Sequence, residues 1–236
     1  MPSILTTIVP VYNEARTLTT IMDRIGRSLP EAQVIYVNDG STDDSLAILH
    51  AHARPEDVIL NKENGGKGSA VRLALEKAEG AYTIIQDADV EYDPEQIPHL
   101  LAEAQTHPGT AVFGSRFLRK NPNIYKRFLW GNKLLTLCMN MLFGSRLTDS
   151  YTCYKLLPTA LFRELDIRSN GFEMEAEICA KCVRHRIAIC EVPIRYSPRT
   201  LSEGKKIGWK DAYKGFLTML TIRMTAGRIG NYRKNS

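Results

Sequence analysis

Through its first 115 residues the chain alternates short apolar runs with amphipathic ones, and this alternation restricts the possible folds more than any other feature. Ile4 to Val9, Gln33 to Val37, Val58 to Leu60, Tyr82 to Gln86 and Ala111 to Gly114 are short and largely apolar, which predicts buried strands. Between them, Leu18 to Leu29, Asp43 to His52, Lys67 to Lys77 and Glu95 to Gln105 repeat apolar residues at helical spacing. Strand, helix, strand, helix in this order predicts an α/β fold with a mostly parallel, Rossmann-like sheet and right-handed crossovers. Beyond Gly114 the pattern weakens, and irregular loops followed by helices are expected. No repeat, linker or composition break marks a boundary, so 1–236 reads as a single domain.

A hydrophobic fraction of 44% allows a sizeable core. Five cysteines without framework spacing predict reduced thiols and a cytoplasmic setting. Cys179 and Cys182 have zinc-like spacing, but no second Cys/His pair lies at a suitable distance, so they read as helix packing. The N-terminus lacks signal-peptide character, and no apolar run approaches the roughly 20 residues of a membrane span. The expectation is a chain either soluble or held peripherally at a membrane.

Charge is unevenly spread. Seven basic residues and no acid lie between Arg116 and Arg146; from Lys205 onward there are eight basic residues and one acid, Asp211. The first 115 residues are acidic. Nucleic acid and anionic lipid both suit a cationic surface. Asn123 to Phe143 interleaves its basic residues with Leu, Trp, Met and Phe as interfacial helices do, which favours lipid over nucleic acid. Trp209 to Arg228 reads as an amphipathic tail helix that suits a bilayer, a partner subunit or the protein's own core.

Ligands of open α/β sheets bind at the carboxyl ends of the strands. Four loops at those ends carry polar chemistry here. The most informative, Asp87-Ala88-Asp89-Val90-Glu91, packs carboxylates so closely that they repel unless a cation joins them; oxygen donors suit Mg²⁺ or Mn²⁺. A solvated turn is the alternative. In Pro10-Val11-Tyr12-Asn13-Glu14, Tyr12 suits stacking and Glu14 suits ring N–H groups. In Asn38 to Asp44, Asp39 suits a base, and Ser41 or Thr42 suits capping of the next helix. Asn64-Gly65-Gly66-Lys67-Gly68 lets backbone amides approach an anion, without the spacing of a P-loop.

PVYNE, VNDGSTD, NGGKG, DADVEYDP, FGSR and TDSYTCYK occur in this order. Together they resemble inverting family 2 glycosyltransferases with a GT-A fold, and most of all the dolichol-phosphate mannose synthase type; EVPIRY and SPRTLSEGKKI point to the same polyprenyl-phosphate branch. The resemblance runs from Val9 to about Lys214. It implies that 1–115 binds a nucleotide sugar, 116–208 forms the acceptor side with its C-terminal helices, and 209–236 is a basic tail. Pro10, Tyr12, Glu14 and Asp39 would hold the nucleoside, with Ala88 along the ribose and diphosphate and Lys67 on the donor. Asp87, Asp89 and Glu91 would form the metal shell; Glu91 departs from the Gln often found there and adds negative charge. Arg116 and Arg127 would meet phosphates, and Arg199 and Lys206 would cover the donor diphosphate. Cys153-Tyr154-Lys155 stands where the pattern has Gly-Phe-Arg, with Lys155 keeping the positive charge.

The resemblance implies transfer of a hexose from GDP-mannose or UDP-glucose to dolichyl or undecaprenyl phosphate at the cytoplasmic face of a membrane, with a separate membrane subunit or flippase taking the product. A phosphate monoester, dianionic near neutral pH, would attack without a general base. Two other readings stay in play: a same-fold enzyme with a hydroxyl acceptor, for which Glu173 to Glu177 is the candidate base region, and a non-catalytic sugar-nucleotide-binding subunit. Glu173, Glu175 and Glu177 otherwise read as acids favoured at a helix start.

Overall fold

The computed structural model describes residues 3–121, 126–199 and 208–225. Seven strands form one sheet: β1 (Leu5–Val11), β2 (Gln33–Asp39), β3 (Val58–Lys62), β4 (Tyr82–Ile85), β5 (Ala111–Ser115), β6 (Lys155–Pro158) and β7 (Ile189–Pro193). Their spatial order is β3-β2-β1-β4-β6-β5-β7. All pairings are parallel except those of β6, which runs antiparallel to β4 and β5. This is the mostly parallel sheet with flanking helices expected of a GT-A fold.

Helices α1 (Leu18–Ser28), α2 (Ser45–His52), α3 (Lys67–Leu75) and α4 (Ile97–Thr106) connect the first five strands, a 3₁₀ turn at Pro94–Gln96 leading into α4. The central strands are buried along nearly their whole length, because helices cover both faces and leave no polar side to alternate with. On α1, Leu18, Ile21, Met22 and Ile25 are buried at the i, i+3, i+4, i+7 spacing that identified the helix.

The region beyond Gly114 corrects the sequence reading. It holds α5 (Lys126–Phe143), α6 (Thr159–Glu164), α7 (Met174–Arg184) and α8 (Trp209–Met224), but also β6 and β7. Lys155-Leu156-Leu157-Pro158 is too short to show a period. It becomes a strand because Leu157 pairs with Thr83 and Leu156 with Val112, closing the gap between β4 and β5. All five cysteines are free thiols, with Cys179 and Cys182 buried on α7. No helix among the described residues is long and apolar enough to cross a membrane.

One consequence positions everything that follows. Six parallel strands end at the same sheet edge, and β6, being reversed, begins there. The loops after β1 to β5 and β7 therefore converge with the segment before β6.

Candidate active site

Asp87, Asp89 and Glu91 follow β4 in a tight turn. Val90 has φ 57°, a left-handed conformation that a β-branched residue resists, so its surroundings must hold the turn. The segment after β7 does so. Arg199 Nε donates to the Asp89 carbonyl (2.9 Å) and Arg199 N–H to Glu91 Oε1 (2.7 Å), while the Tyr196 hydroxyl donates to Glu91 Oε2. Ser197 N–H reaches the Glu91 carbonyl at 3.0 Å, and the Glu91 amide donates to Asp89 Oδ1 at 3.1 Å.

The carboxylates differ in their surroundings. Asp87 pairs with Lys67 Nζ at 2.6 Å. Asp89 is half-buried, and burial together with the Asp87 and Glu91 charges pushes its carboxyl up to about 8. Glu91 is engaged by Tyr196 and Arg199, and no group of three His, Cys, Asp or Glu side chains among the described residues stands ready to hold an ion. Asp87 and Asp89 alone still fit a hard divalent cation. Mg²⁺ commonly takes one or two carboxylates and completes its shell from water and substrate phosphates, and a cation would favour the charged form of Asp89.

The loops after β1 and β2 are stitched together. Asn13, with φ 51°, accepts the Thr42 N–H at its Oδ1 (2.8 Å), and the Asn13 and Glu14 amides donate to Ser41 Oγ (3.1 Å) and Ser45 Oγ (2.9 Å). Ser41 and Thr42 thus tie to Asn13 instead of capping α2, a correction to the sequence reading. The Glu14 carboxylate meets Arg199 Nη2 at 2.5 Å.

The glycine-rich turn is also spoken for. Asp39 accepts from the Gly65 and Gly66 amides (2.9 and 2.8 Å) and pairs with Lys62 Nζ (2.5 Å), so the anion that these amides meet is Asp39 itself. Gly66 has φ 91°, and a side chain at Gly68 would collide with the Ser169 carbonyl, which explains the glycines.

Arg116 is buried and lies against Asp149, Nε and Nη2 reaching its two oxygens at 2.7 and 2.8 Å, with the Tyr196 ring 5.1 Å away. Burial would lower its pKa, but Asp149 outweighs that and raises it. Of Arg127 only the backbone, at the start of α5, is described, and Lys206 lies outside the described residues.

Glu175 stands in the first turn of α7 as a helix-start acid, but its surroundings go beyond that reading: it is buried, with Lys67 Nζ at 2.9 Å and Lys155 Nζ at 2.7 Å. Burial alone would raise its pKa, but the two ammonium groups, Lys155 foremost, hold it below the usual carboxylate range. Lys155, Glu175, Lys67 and Asp87 form a chain of alternating charge leading to the turn after β4. Glu177 instead accepts the Arg168 and Ser169 amides and pairs with Lys181 at 2.6 Å.

These loops enclose a cavity of about 400 Å³. Pro10, Tyr12 and Glu14 line it from β1, Asp39 and Lys67 from the next two loops, and Asp87, Ala88, Asp89 and Glu91 from the turn after β4. Arg116 and Arg199 line it too. Sequence reasoning gave no role to Tyr92, Tyr151, Phe172 or Tyr196, which complete the wall, nor to Asp149 behind it. Asp149 and Tyr151 lie in the TDSYTCYK string, Tyr196 in EVPIRY and Tyr92 in DADVEYDP, all of which carried the resemblance; Phe172 lies in none of them.

The model of Glycosyl transferase family 2 matches residues 6–165. The chain belongs to this family. It is 30% identical over 219 residues to an undecaprenyl-phosphate mannosyltransferase of Micrococcus luteus, covering 86% of this chain and 87% of that one. It is 26% identical over 203 residues to the low-salt glycan biosynthesis hexosyltransferase Agl6 of Haloferax volcanii, covering 83% and 48%. An undecaprenyl-phosphate 4-deoxy-4-formamido-L-arabinose transferase of Pseudomonas fluorescens is 35% identical over 155 residues, covering 62% and 44%. The chain spans about half the length of these last two. Among solved structures, glucosyl-3-phosphoglycerate synthase of Mycobacterium tuberculosis in complex with Mn²⁺, uridine diphosphate and phosphoglyceric acid superposes with a TM-score of 0.72 at 18% identity, covering 94% of this chain and 79% of that one. That likeness shows the fold.

Proposed function

We propose that this chain is a metal-dependent inverting glycosyltransferase that moves a hexose from a nucleotide sugar to a polyprenyl phosphate at the cytoplasmic face of a membrane. The observation that carries this reading is the state of Glu175. It is the acid on the acceptor side of the cavity, and a carboxylate held between two lysines is a poor proton acceptor. A hydroxyl acceptor requires such a base; a phosphate monoester, dianionic near neutral pH, does not. The names of the Micrococcus and Pseudomonas relatives point the same way.

On this reading residues 1–115 take the donor and residues 116–208 the acceptor. Tyr12 and Pro10 cover the nucleoside, while Glu14 and Asp39 orient the loops around it. Asp87 and Asp89 would hold Mg²⁺ or Mn²⁺, which supplies positive charge against the departing diphosphate. Arg199, already tied to both carboxylate loops, adds electrostatic stabilisation at that side. An oxygen of the lipid phosphate forms the new bond to the anomeric carbon from the opposite face. The bond to the diphosphate oxygen breaks, its electron pair leaves with the nucleoside diphosphate, and the centre inverts.

The test is a transfer assay with radiolabelled GDP-mannose or UDP-glucose, Mn²⁺, and undecaprenyl or dolichyl phosphate. Label in an acid-labile lipid phosphate supports the reading. Label transferred only to hydroxyl acceptors, or nucleotide binding without turnover, refutes it.

A further inference from the structure

Asp87 is already paired with a cation of the chain's own. Lys67 Nζ lies 2.6 Å from Asp87 Oδ1, 2.9 Å from Glu175 Oε1 and 3.5 Å from Cys153 Sγ, so each of its three donors has a partner. The second oxygen of Glu175 meets Lys155 Nζ at 2.7 Å, and Lys155 also donates to the Thr152 carbonyl. The Lys67, Glu175 and Lys155 side chains are buried, whereas Asp87 lines the cavity with 21% of its side chain exposed.

The backbone fixes where Lys67 stands. Gly66 enters α3 at φ 91°, and the Asn170 carbonyl takes the Gly68 and Ser69 amides at 2.7 and 3.2 Å. The first turn of α3 is therefore anchored by the chain itself, and the Lys67 side chain is what it extends toward Asp87.

The four charges in this row cancel, two ammonium groups against two carboxylates. Holding a divalent cation on Asp87 and Asp89 would set two further positive charges beside an ammonium that shares the Asp87 carboxylate. Like charges at such range oppose each other strongly. The diphosphate of a nucleotide sugar carries the negative charge that relieves the conflict.

We propose that Lys67 is a resident counter-ion of Asp87 that makes cation binding conditional on the donor's diphosphate, and that Glu175 is the positioning residue that keeps the ammonium once Asp87 turns to the cation. The inference rests on the reading above that Asp87 and Asp89 hold a divalent cation. Each ion pair then has its own work: Lys155 fixes Glu175, and Glu175 leaves Lys67 a partner whether or not Asp87 is available. The sign of one effect separates this from simpler roles. If Lys67 only stapled α3 to α7, or only gripped the donor, its removal would not strengthen the binding of a cation alone. Competition for Asp87 requires that it does.

Mn²⁺ binding to the full chain is measured from the electron paramagnetic resonance of the ion, without nucleotide and with uridine or guanosine diphosphate, protein-free nucleotide serving as the blank. The wild type is expected to bind Mn²⁺ poorly alone and more tightly with nucleotide. Lys67→Met is expected to bind Mn²⁺ alone about ten- to a hundredfold more tightly than wild type, the size of effect one neighbouring charge has on an ionisation. The nucleotide then adds less to Mn²⁺ affinity than it does in the wild type. Glu175→Gln leaves the ammonium to Asp87 and is expected to weaken Mn²⁺ binding, but to do so far less in the Lys67→Met background, because Glu175 acts through Lys67. Melting temperatures identify folded variants; Lys67→Gln, which keeps a donor for Glu175, takes the place of Lys67→Met if that variant unfolds. Binding of Mn²⁺ alone that is unchanged or weaker without the Lys67 charge overturns the proposal, and the ion site itself stands if nucleotide still brings Mn²⁺ to the chain. A Glu175→Gln effect undiminished without Lys67 overturns the positioning role. No Mn²⁺ binding by any form, even with nucleotide, overturns both the proposal and the ion site.

Discussion

Asp89 and Glu175 are both carboxylates at the cavity, and their neighbours give them opposite properties. Asp89 shares its turn with two other acids and is pushed up to about 8, so a cation beside it would favour its charged form. Asp89→Ala is expected to abolish hexose transfer at any Mg²⁺ or Mn²⁺ concentration while leaving the melting temperature within a few degrees of wild type; near-normal turnover would remove the residue from the site. Glu175 lies between Lys67 and Lys155. Glu175→Gln leaves Lys155 buried without its counter-charge, a loss of roughly 3 kcal/mol by the behaviour of broken buried pairs, read from the urea midpoint. The sign of the pH effect follows from the lowered pKa. The Glu175 contribution is complete above the ordinary value of 4.5 and fades as pH falls below it through the folded-state value. The stability gap between wild type and Glu175→Gln should therefore narrow on acidification from 4.5 downward; a constant gap would mean the charge is not what stabilises.

Among the elements, α3 shows how a glycine turn serves two masters. Its first turn must receive Asp39 on the Gly65 and Gly66 amides and at the same time press against the 169–171 segment ahead of α7. Gly68 N–H donates to the Asn170 carbonyl at 2.7 Å, and no side chain fits beside Ser169. Gly68→Ala is expected to cost about 1–3 kcal/mol as an overpacked contact and to raise the donor KM more than it lowers kcat, because the shift moves Lys67 first. Denaturation and steady-state kinetics on one preparation check both. β6 shows the complementary case: four residues with no readable period become a strand because two neighbours leave an unpaired ladder between them. Its reversal brings the chain back to the loop edge, which places Tyr151 and Cys153 at the cavity.

The described residues are built on one sheet whose loop edge is held by ion pairs across long stretches of chain, so a ligand that joins several loops should stabilise them together. Adding uridine or guanosine diphosphate with Mn²⁺ at a hundredfold excess over Kd is worth about 2.7 kcal/mol. For a chain of this size that is a rise in Tm of roughly 5–10 °C, and chelation should remove most of it. A nucleotide shift unchanged by chelator would argue against Asp87 and Asp89 as ion ligands.

What the sequence determined by itself was the parallel half of the fold and the cluster of polar loops at its edge. Period and composition are local properties, and in the first 115 residues apolar runs alternate regularly with helical ones, so that even the four-residue β4 is marked by its place in the alternation. The acidic turn after β4, the PVYNE loop and the NGGKG turn could all be placed at that edge from order alone. Tertiary structure decided the partners. Arg199 meets Glu14 across 185 residues and Lys67 meets Glu175 across 108. No local pattern encodes such a pairing, because a buried charge takes whichever opposite charge the packed elements deliver to it. For the same reason Glu175, indistinguishable in sequence from Glu173 and Glu177, became the acid locked between two lysines only once α3, β6 and α7 had met.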